Sequence, residues 1–381
     1  MYDVVVIGQG LSGMLAAIWA REEGKRTALI MSGAGKIMQS TGVLDLIPGA
    51  ESTLDEWMKF YHINPGKKSE ILQAVEKFKA LTRDIGYPYK GDVRKPVPVV
   101  TGSGHLKKTA LYPDTVTPVP DQGHAVIVGF QELSDFQPQF ISKNLQTERP
   151  LLDVETIRIQ LGEDSQRVMT QLDAARLLDQ KDVRDSCLRQ IRKQLADKGI
   201  PQADFFVFPS SLGDAEWSRT LQQFSEVLGA SITEAPGMPP NATAIRLNDR
   251  LKRKAIRSGV RFYADTTVVG AAIDQNKIRS VRVQMANRAA DVSGRQFILA
   301  TGGILGGGLE VTPDGIRETA LHLDTDDDGC PVHPPENLFL TGASGGRHLT
   351  RHGIVGGIYS LLSSYESVYS LRKPVAGGMA K

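Results

Sequence analysis

The sequence predicts an α/β protein. One parallel-sheet domain is assembled from two separated stretches of chain, residues 1–100 and 238–381, around an inserted α/β domain at 101–237. Three observations carry this expectation. The chain opens on a β-branched run that passes directly into closely spaced glycines. Two late hydrophobic runs also end in glycines, and between these blocks strand-like and helix-like segments alternate. With 381 residues, and roughly 100 to 200 residues to a domain, the chain has room for two cores.

The N-terminal block carries the most specific signal. Val4, Val5, Val6 and Ile7 have the composition of a buried parallel strand and run into Gly8-Gln9-Gly10-Leu11-Ser12-Gly13. Residues 14–19 are helix-compatible, Gly24 ends that helix, and residues 27–31 read as a second strand. The result is a βαβ unit with G-x-G-x-x-G in its first turn. One glycine makes the turn, a second, Gly10, lets the backbone approach a pyrophosphate, and a third allows helix and strand to pack closely. Leu11 and Ser12 open a helix whose free N–H groups suit the anion. A dinucleotide is therefore expected at Gly8, Gly10, Leu11, Ser12 and Gly13. Where such units place an acidic residue for the ribose, this chain has Met31 followed by Ser32. Either Ser32 donates a hydrogen bond there or a neighbouring loop compensates.

Ser40-Thr41-Gly42 are small or hydroxylated residues placed to approach a cofactor ring or phosphate, with an ordinary surface turn as the alternative. Residues 51–85 are amphipathic and helical. Residues 90–120, rich in Pro, Gly and Thr, read as a domain crossing that can also face a site. The insert then alternates strands at 125–128, 152–159, 205–208 and 230–233 with helices at 136–146, 174–198 and 215–228. Its basic stretch, 184–198, reads as a solvated face.

A helix rich in Arg and Lys follows at 239–257, then a hairpin over 266–273 and 277–283 that contains Val268, a candidate cofactor contact. A hydrophobic strand ends in Ala300-Thr301-Gly302, another ends in Thr341-Gly342-Ala343, and a helix is expected over 353–364, beginning at Gly353. Parallel strands collect ligands at their carboxyl ends, so both glycine-bearing strand ends are expected beside the Gly8 loop.

Composition narrows the function classes. Lys+Arg 45 against Asp+Glu 43 leaves a net charge of +2, which gives no electrostatic case for nucleic acid. Cys187 and Cys330 are too few for a disulfide framework, a four-thiolate zinc site or a cysteine-ligated iron–sulfur cluster, so no metal site is expected. The sequence has no long apolar run of spanning length and no signal-peptide pattern. A cytoplasmic setting is expected, with membrane association only through partners.

The N-terminal fingerprint, the Ala-Thr-Gly-Gly strand end and the C-terminal strand–glycine–helix resemble the flavin domain of FAD oxidoreductases. The fold class expected is thus a two-part FAD-binding Rossmann-like domain with an inserted α/β domain. More specifically, the sequence resembles the B-type flavoprotein subunit of the anaerobic glycerol-3-phosphate dehydrogenase. The likeness lies in residues 8–13 and 40–46, in Gly104, Leu106, Lys107 and Thr109, and in Val128-Gly129 with Asp135-Phe136-Gln137. It extends through Pro239-Pro240, Ile245-Arg246-Leu247, residues 303–309, Gly315-Ile316-Arg317-Glu318 and residues 336–342, nearly the full chain.

This resemblance implies a flavoprotein that oxidises sn-glycerol 3-phosphate, a small phosphorylated polyol, to dihydroxyacetone phosphate. It also implies a larger flavin dehydrogenase subunit and an iron–sulfur membrane-anchor subunit that passes electrons to quinone. The complex would lie on the cytoplasmic face of the inner membrane. The family is commonly described with FMN, whereas the glycine loop favours FAD; FAD ranks first and FMN is the alternative.

Hydride removal from an alcohol needs a base and, for this substrate, cations for the phosphate. His348 and His352 are the candidate bases, with a solvent-exposed loop as the plain alternative. Arg246 and Arg317 are candidate phosphate ligands, with structural salt bridges as the alternative. Arg347 and Arg351, beside the helix expected at Gly353, would hold phosphate or stabilise an anionic reduced flavin, with a solvated basic loop as the alternative. Two other classes remain open. One is an electron-transfer or assembly subunit without its own substrate, and the other is an FAD-dependent oxidoreductase of the fumarate-reductase type.

Overall fold

The computed structural model describes residues 1–47, 52–162, 168–200, 202–346 and 355–370. At the N-terminus, β1 (Tyr2–Ile7), α1 (Leu11–Glu22) and β2 (Thr27–Ile30) form the expected βαβ unit. Helices α2 (Leu54–Phe60) and α3 (Lys68–Asp84) follow. Two short antiparallel pairs come next: β3 (Tyr89–Gly91) with β6 (Leu111–Pro113), and β4 (Val97–Val100) with β5 (Leu106–Thr109).

The middle of the chain alternates strand and helix: β7 (Gln122–Phe130), α4 (Pro138–Glu148), β8 (Leu151–Ile159), α5 (Gln171–Leu178), α6 (Lys181–Asp197), β9 (Phe205–Pro209), α7 (Trp217–Leu228) and β10 (Ser231–Ala235). Its four strands are all parallel, in the order β10-β9-β7-β8. They enclose a core that includes Ile127, Phe130, Ile141, Phe206, Phe208 and Phe224.

The chain then returns through α8 (Ala242–Arg257), β11 (Arg261–Tyr263), β12 (Thr267–Asp274), β13 (Lys277–Gln284) and β14 (Ala289–Leu299). The hairpin β15 (Leu309–Thr312) and β16 (Gly315–Glu318) precedes β17 (Leu338–Leu340) and α9 (Gly357–Ser370). Among the described residues the main sheet runs β11-β2-β1-β14-β17, all parallel, while β12 and β13 join the first half of β14 as an antiparallel layer. Strand alternation feeds two cores. Val4, Val6, Leu29 and Ile298 face the helices with Leu15, Trp19 and Leu361. Val5, Ile7, Phe297 and Leu299 face the antiparallel layer with Val281 and Val283. A strand buried on both faces reads as a continuous apolar run, which is why β1 is so evident in the sequence.

Two expectations for the insert are corrected. The helix expected over 174–198 is two helices. A Thr170–Asp173 capping box starts α5, and the Asp179 carboxylate after it accepts hydrogen bonds from the Asp214, Ala215 and Glu216 backbone N–H groups at 2.9–3.0 Å. The basic stretch is not wholly a solvated face either. Arg184 is buried, with Nη1 donating to the Leu178 and Asp179 carbonyls left unpaired at the end of α5.

Candidate active site

The glycine loop is tight on two sides and open on the third. Gly8 has φ +104°, and a Cβ there would lie 2.3 Å from the Ala300 oxygen; at Gly13 it would lie 2.0 Å from the Gly8 oxygen. Both positions are glycine because backbone occupies the space. Gly10 differs: its φ is −61°, and a Cβ there would meet no protein atom within 4 Å. No side chain caps α1 and no acidic residue stands in its first turn. The fold alone therefore does not demand glycine at position 10, whereas a pyrophosphate seated against its backbone and the helix N–H groups would.

The two late strand ends close on this loop. Ser364 Oγ donates to the Ser12 oxygen at 3.0 Å, Ser344 Oγ to the Leu299 oxygen at 2.7 Å, and a Cβ on Gly342 would sit 2.5 Å from Ser12 Oγ. Ala343 lies 3.3 Å from the Cβ position of Gly303. The buried Thr301 hydroxyl has no hydrogen-bond partner, and Gly302 adopts φ +85° beside it. An orphaned hydroxyl and a vacant glycine side at the carboxyl edge of a parallel sheet fit a bound dinucleotide.

At the end of β2 the backbone of Met31 is already engaged: its N–H donates to the Tyr263 oxygen and its carbonyl accepts from Thr266. Ser32 is exposed, while Val268, two residues beyond Thr266, is buried in β12.

Ser40, Thr41 and Gly42 lie against the start of α8. Asn241 Nδ2 donates to the Ser40 oxygen at 2.8 Å and Thr243 Oγ1 to the Thr41 oxygen at 2.9 Å. A Cβ on Gly42 would come within 2.8 Å of Ala244 N. The Ser210 hydroxyl, beyond β9, meets Thr243 Oγ1 at 2.9 Å, so the carboxyl edge of the four-stranded sheet also reaches this place.

Three residues beyond Gly42 stands a carboxylate that sequence reasoning assigned no role. Asp45 is buried; its Oδ2 lies 2.7 Å from Lys107 Nζ, which also reaches Thr41 Oγ1 at 3.3 Å. The neighbouring Thr109 hydroxyl donates to the Leu44 and Leu111 carbonyls, and Asp45 Oδ1 is left without a partner. Burial pushes the Asp45 carboxyl above its ordinary value, against the pull of the Lys107 ammonium and, more weakly, the Thr109 hydroxyl. The Asp45 carbonyl accepts from Ile358 at the start of α9, and a Cβ on Gly356 would lie 2.1 Å from the Leu46 oxygen. The signal that marks the site was an acidic residue inside the apolar run Val43-Leu44-Asp45-Leu46.

The arginines are placed otherwise than the sequence suggested. Arg246 is fully buried in a bidentate ion pair with Glu234 (2.7 and 2.9 Å), and its Nε donates to the Gly213 oxygen at 2.7 Å. Burial works against its charge, but Glu234 and Tyr87 outweigh that and hold it above its ordinary value. Its donors are taken, so the expected phosphate contact gives way to a structural ion pair. Arg317 is exposed on β16 and pairs with Glu310 at 3.1 Å across the hairpin. Arg347, His348, Arg351, His352 and Gly353 lie outside the described residues.

Residues 3–355 match the family described as FAD binding domain. The chain belongs to this FAD-binding family. Its cofactor is FAD, the first of the two flavins that the sequence allowed, and the protein is an FAD-dependent oxidoreductase by family. The relatives include the B-type subunit of the anaerobic glycerol-3-phosphate dehydrogenase of Mannheimia succiniciproducens, 25% identical over 347 residues that cover 85% of this chain and 79% of the relative. The corresponding probable subunit of Halobacterium salinarum is 27% identical over 333 residues, covering 83% of this chain and 77% of the relative.

Among solved structures, the 3-ketosteroid Δ1-dehydrogenase of Sterolibacterium denitrificans is 13% identical with a TM-score of 0.37. The matched region covers 80% of this chain and about half, 48%, of that one. A flavocytochrome c3 fumarate reductase in its open conformation is 12% identical with a TM-score of 0.36, covering 79% of this chain and 34% of that one. Among the described residues no helix is long and apolar enough to cross a membrane, and no His, Cys, Asp and Glu cluster is arranged to hold a metal ion.

Proposed function

We propose that this chain is the FAD-carrying subunit of an anaerobic glycerol-3-phosphate dehydrogenase, oxidising sn-glycerol 3-phosphate to dihydroxyacetone phosphate. The observation that carries the reading is the likeness to B-type subunits of that enzyme over 83–85% of the chain, joined to an FAD family match over residues 3–355. In this reading Gly8, Gly10, Leu11, Ser12 and Gly13, with Ala300, Thr301, Gly302, Thr341, Gly342 and Ala343, hold the pyrophosphate side of FAD. Ser40, Thr41 and Gly42 border its ring, and Met31, Ser32 and Val268 border its adenosine. Residues 101–237 cover the cofactor held by 1–100 and 238–381.

When bound, FAD supplies the acceptor for the two electrons and the hydrogen that leave the substrate C–H bond. The chain's own residues orient the alcohol, exclude water between the two sheets' carboxyl edges and manage the hydroxyl proton. The electrons then pass through a larger flavin dehydrogenase subunit and an iron–sulfur membrane-anchor subunit to quinone, at the cytoplasmic face of the inner membrane. Arg347 and Arg351 remain the candidate phosphate ligands, and His348 and His352, the bases the sequence offered, are the alternatives to a carboxylate base among the described residues.

The commitment of Arg246 to Glu234 and of Arg317 to Glu310 favours a second reading, an electron-transfer subunit whose partner oxidises the substrate. Anaerobic addition of sn-glycerol 3-phosphate to the purified, flavin-loaded chain separates them. Bleaching of the flavin absorbance supports the dehydrogenase; a flavin that stays oxidised until a partner subunit is added supports the second reading.

A further inference from the structure

We propose that Asp45 is the catalytic base of the cleft, accepting the hydroxyl proton of an alcohol substrate, and that Lys107 is the positioning residue that holds its carboxylate. The inference rests on the alcohol-oxidising reading above and names a proton acceptor within the described residues.

Oxidation of a secondary alcohol to a ketone breaks two bonds. The C–H hydrogen leaves with its electron pair to the oxidised flavin. The O–H electron pair becomes the second C–O bond of the ketone, and the hydroxyl proton needs an acceptor. Asp45 has the required form. Oδ2 is fixed by Lys107 at 2.7 Å, so the carboxylate cannot rotate freely; Oδ1 makes no hydrogen bond of its own, and the Thr109 hydroxyl, which donates to two carbonyls, only helps to favour the charge from nearby. A carboxyl oxygen left unpaired in a buried place is costly to keep unless something it serves occupies the site. Its neighbours include residues that the proposed reading sets beside the flavin: Thr41 through Lys107, with the start of α9 joined through the Asp45 carbonyl and β5 through Lys107 itself. Lys107 is a quarter exposed while the Asp45 side chain is 7% exposed, so the lysine is the more open member of the pair. Burial favours the protonated carboxyl and Lys107 favours the ionised one, which sets Asp45 closer to neutral pH than a free carboxylate and suits it to take and release a proton.

The purely structural alternative is that the pair only ties the 41–46 loop to β5. The test uses the full-length, flavin-loaded chain as parent, Asp45→Asn, Lys107→Met and Lys107→Arg, with flavin content and melting temperature confirming the folded state of each. In anaerobic stopped-flow reduction by sn-glycerol 3-phosphate, Asp45→Asn is expected to slow flavin reduction by about 100-fold or more. Lys107→Met should move the acidic limb of the pH–rate profile to higher pH, because the cation no longer opposes burial, and Lys107→Arg should keep the limb near its parental position. A second readout needs no turnover: carbon-13 NMR of the Asp45 carboxyl without substrate should show a midpoint above the ordinary carboxylate range that rises further in Lys107→Met. Parental reduction rates in Asp45→Asn, or an ordinary Asp45 midpoint indifferent to Lys107, would overturn the proposal. A parent flavin that the substrate does not reduce would instead overturn the substrate reading, and the NMR midpoints would still decide the Asp45–Lys107 coupling.

Discussion

Arg246–Glu234 and Lys107–Asp45 both tie the terminal stretches of the chain to its middle, and both put a carboxylate where water does not reach. In the first pair both side chains are at 0% exposure, the guanidinium finds acceptors at Nε, Nη1 and Nη2, and Glu234 Oε1 also accepts from the Leu212 N–H. In the second, one carboxylate oxygen has no partner and the lysine keeps an open side. A charge pair closed on every side has no group left for a ligand, whereas one with a spare acceptor has. The glycine loop repeats the contrast, since Gly13 is enclosed by backbone while Gly10 faces empty space.

The largest effect should come from opening the closed pair. Arg246→Met leaves the Glu234 carboxylate buried without its cation, and chemical denaturation should show a loss of about 3–5 kcal/mol. A loss under about 1 kcal/mol would mean that the pair is as dispensable as a surface bridge. Next comes Gly13→Ala, whose methyl would lie 2.0 Å from the Gly8 oxygen. Overpacking of this kind costs about 1–3 kcal/mol, read as a lower melting temperature of the flavin-free chain.

Asp45→Asn should act in the opposite direction. Burial raises the folded-state pKa of Asp45, so this carboxyl contributes stability that is complete below its unfolded pKa and is lost as pH rises through the folded one. The asparagine variant, neutral throughout, should melt above the parent at neutral pH and converge on it in acid. Melting below the parent at neutral pH would show that attraction to Lys107 outweighs burial. The smallest effect belongs to Arg317→Ala, where an exposed pair with Glu310 is worth about 0–1 kcal/mol.

The same contrast explains what was legible in the sequence. The β1 run, the glycine turn and the late glycine-bearing strand ends are local patterns, and each is found where it was expected. The broken helix at 174–198 was hidden because its break depends on Asp179 receiving backbone donors from residues 214–216, a tertiary matter. The first half of β14 escaped notice because its pairing with β13 leaves alternate residues exposed. Arg246 looked like a phosphate ligand because an arginine's type shows its chemistry but not its partner. Asp45 and Lys107 went unassigned because the bridge between Leu44 and Leu111 that brings their segments together leaves no periodic trace.

If the cofactor fills the positions that the fold leaves open, Gly10 is where a side chain should displace it. Gly10→Val places a side chain where no protein atom lies within 4 Å of the Cβ and at a φ that valine tolerates. The decisive measurement is the visible absorption spectrum of this variant, purified beside the parent, with melting temperatures taken on both after flavin removal. A folded, colourless variant that melts with the flavin-free parent is the expected result. A yellow variant with the parent's flavin content would contradict it.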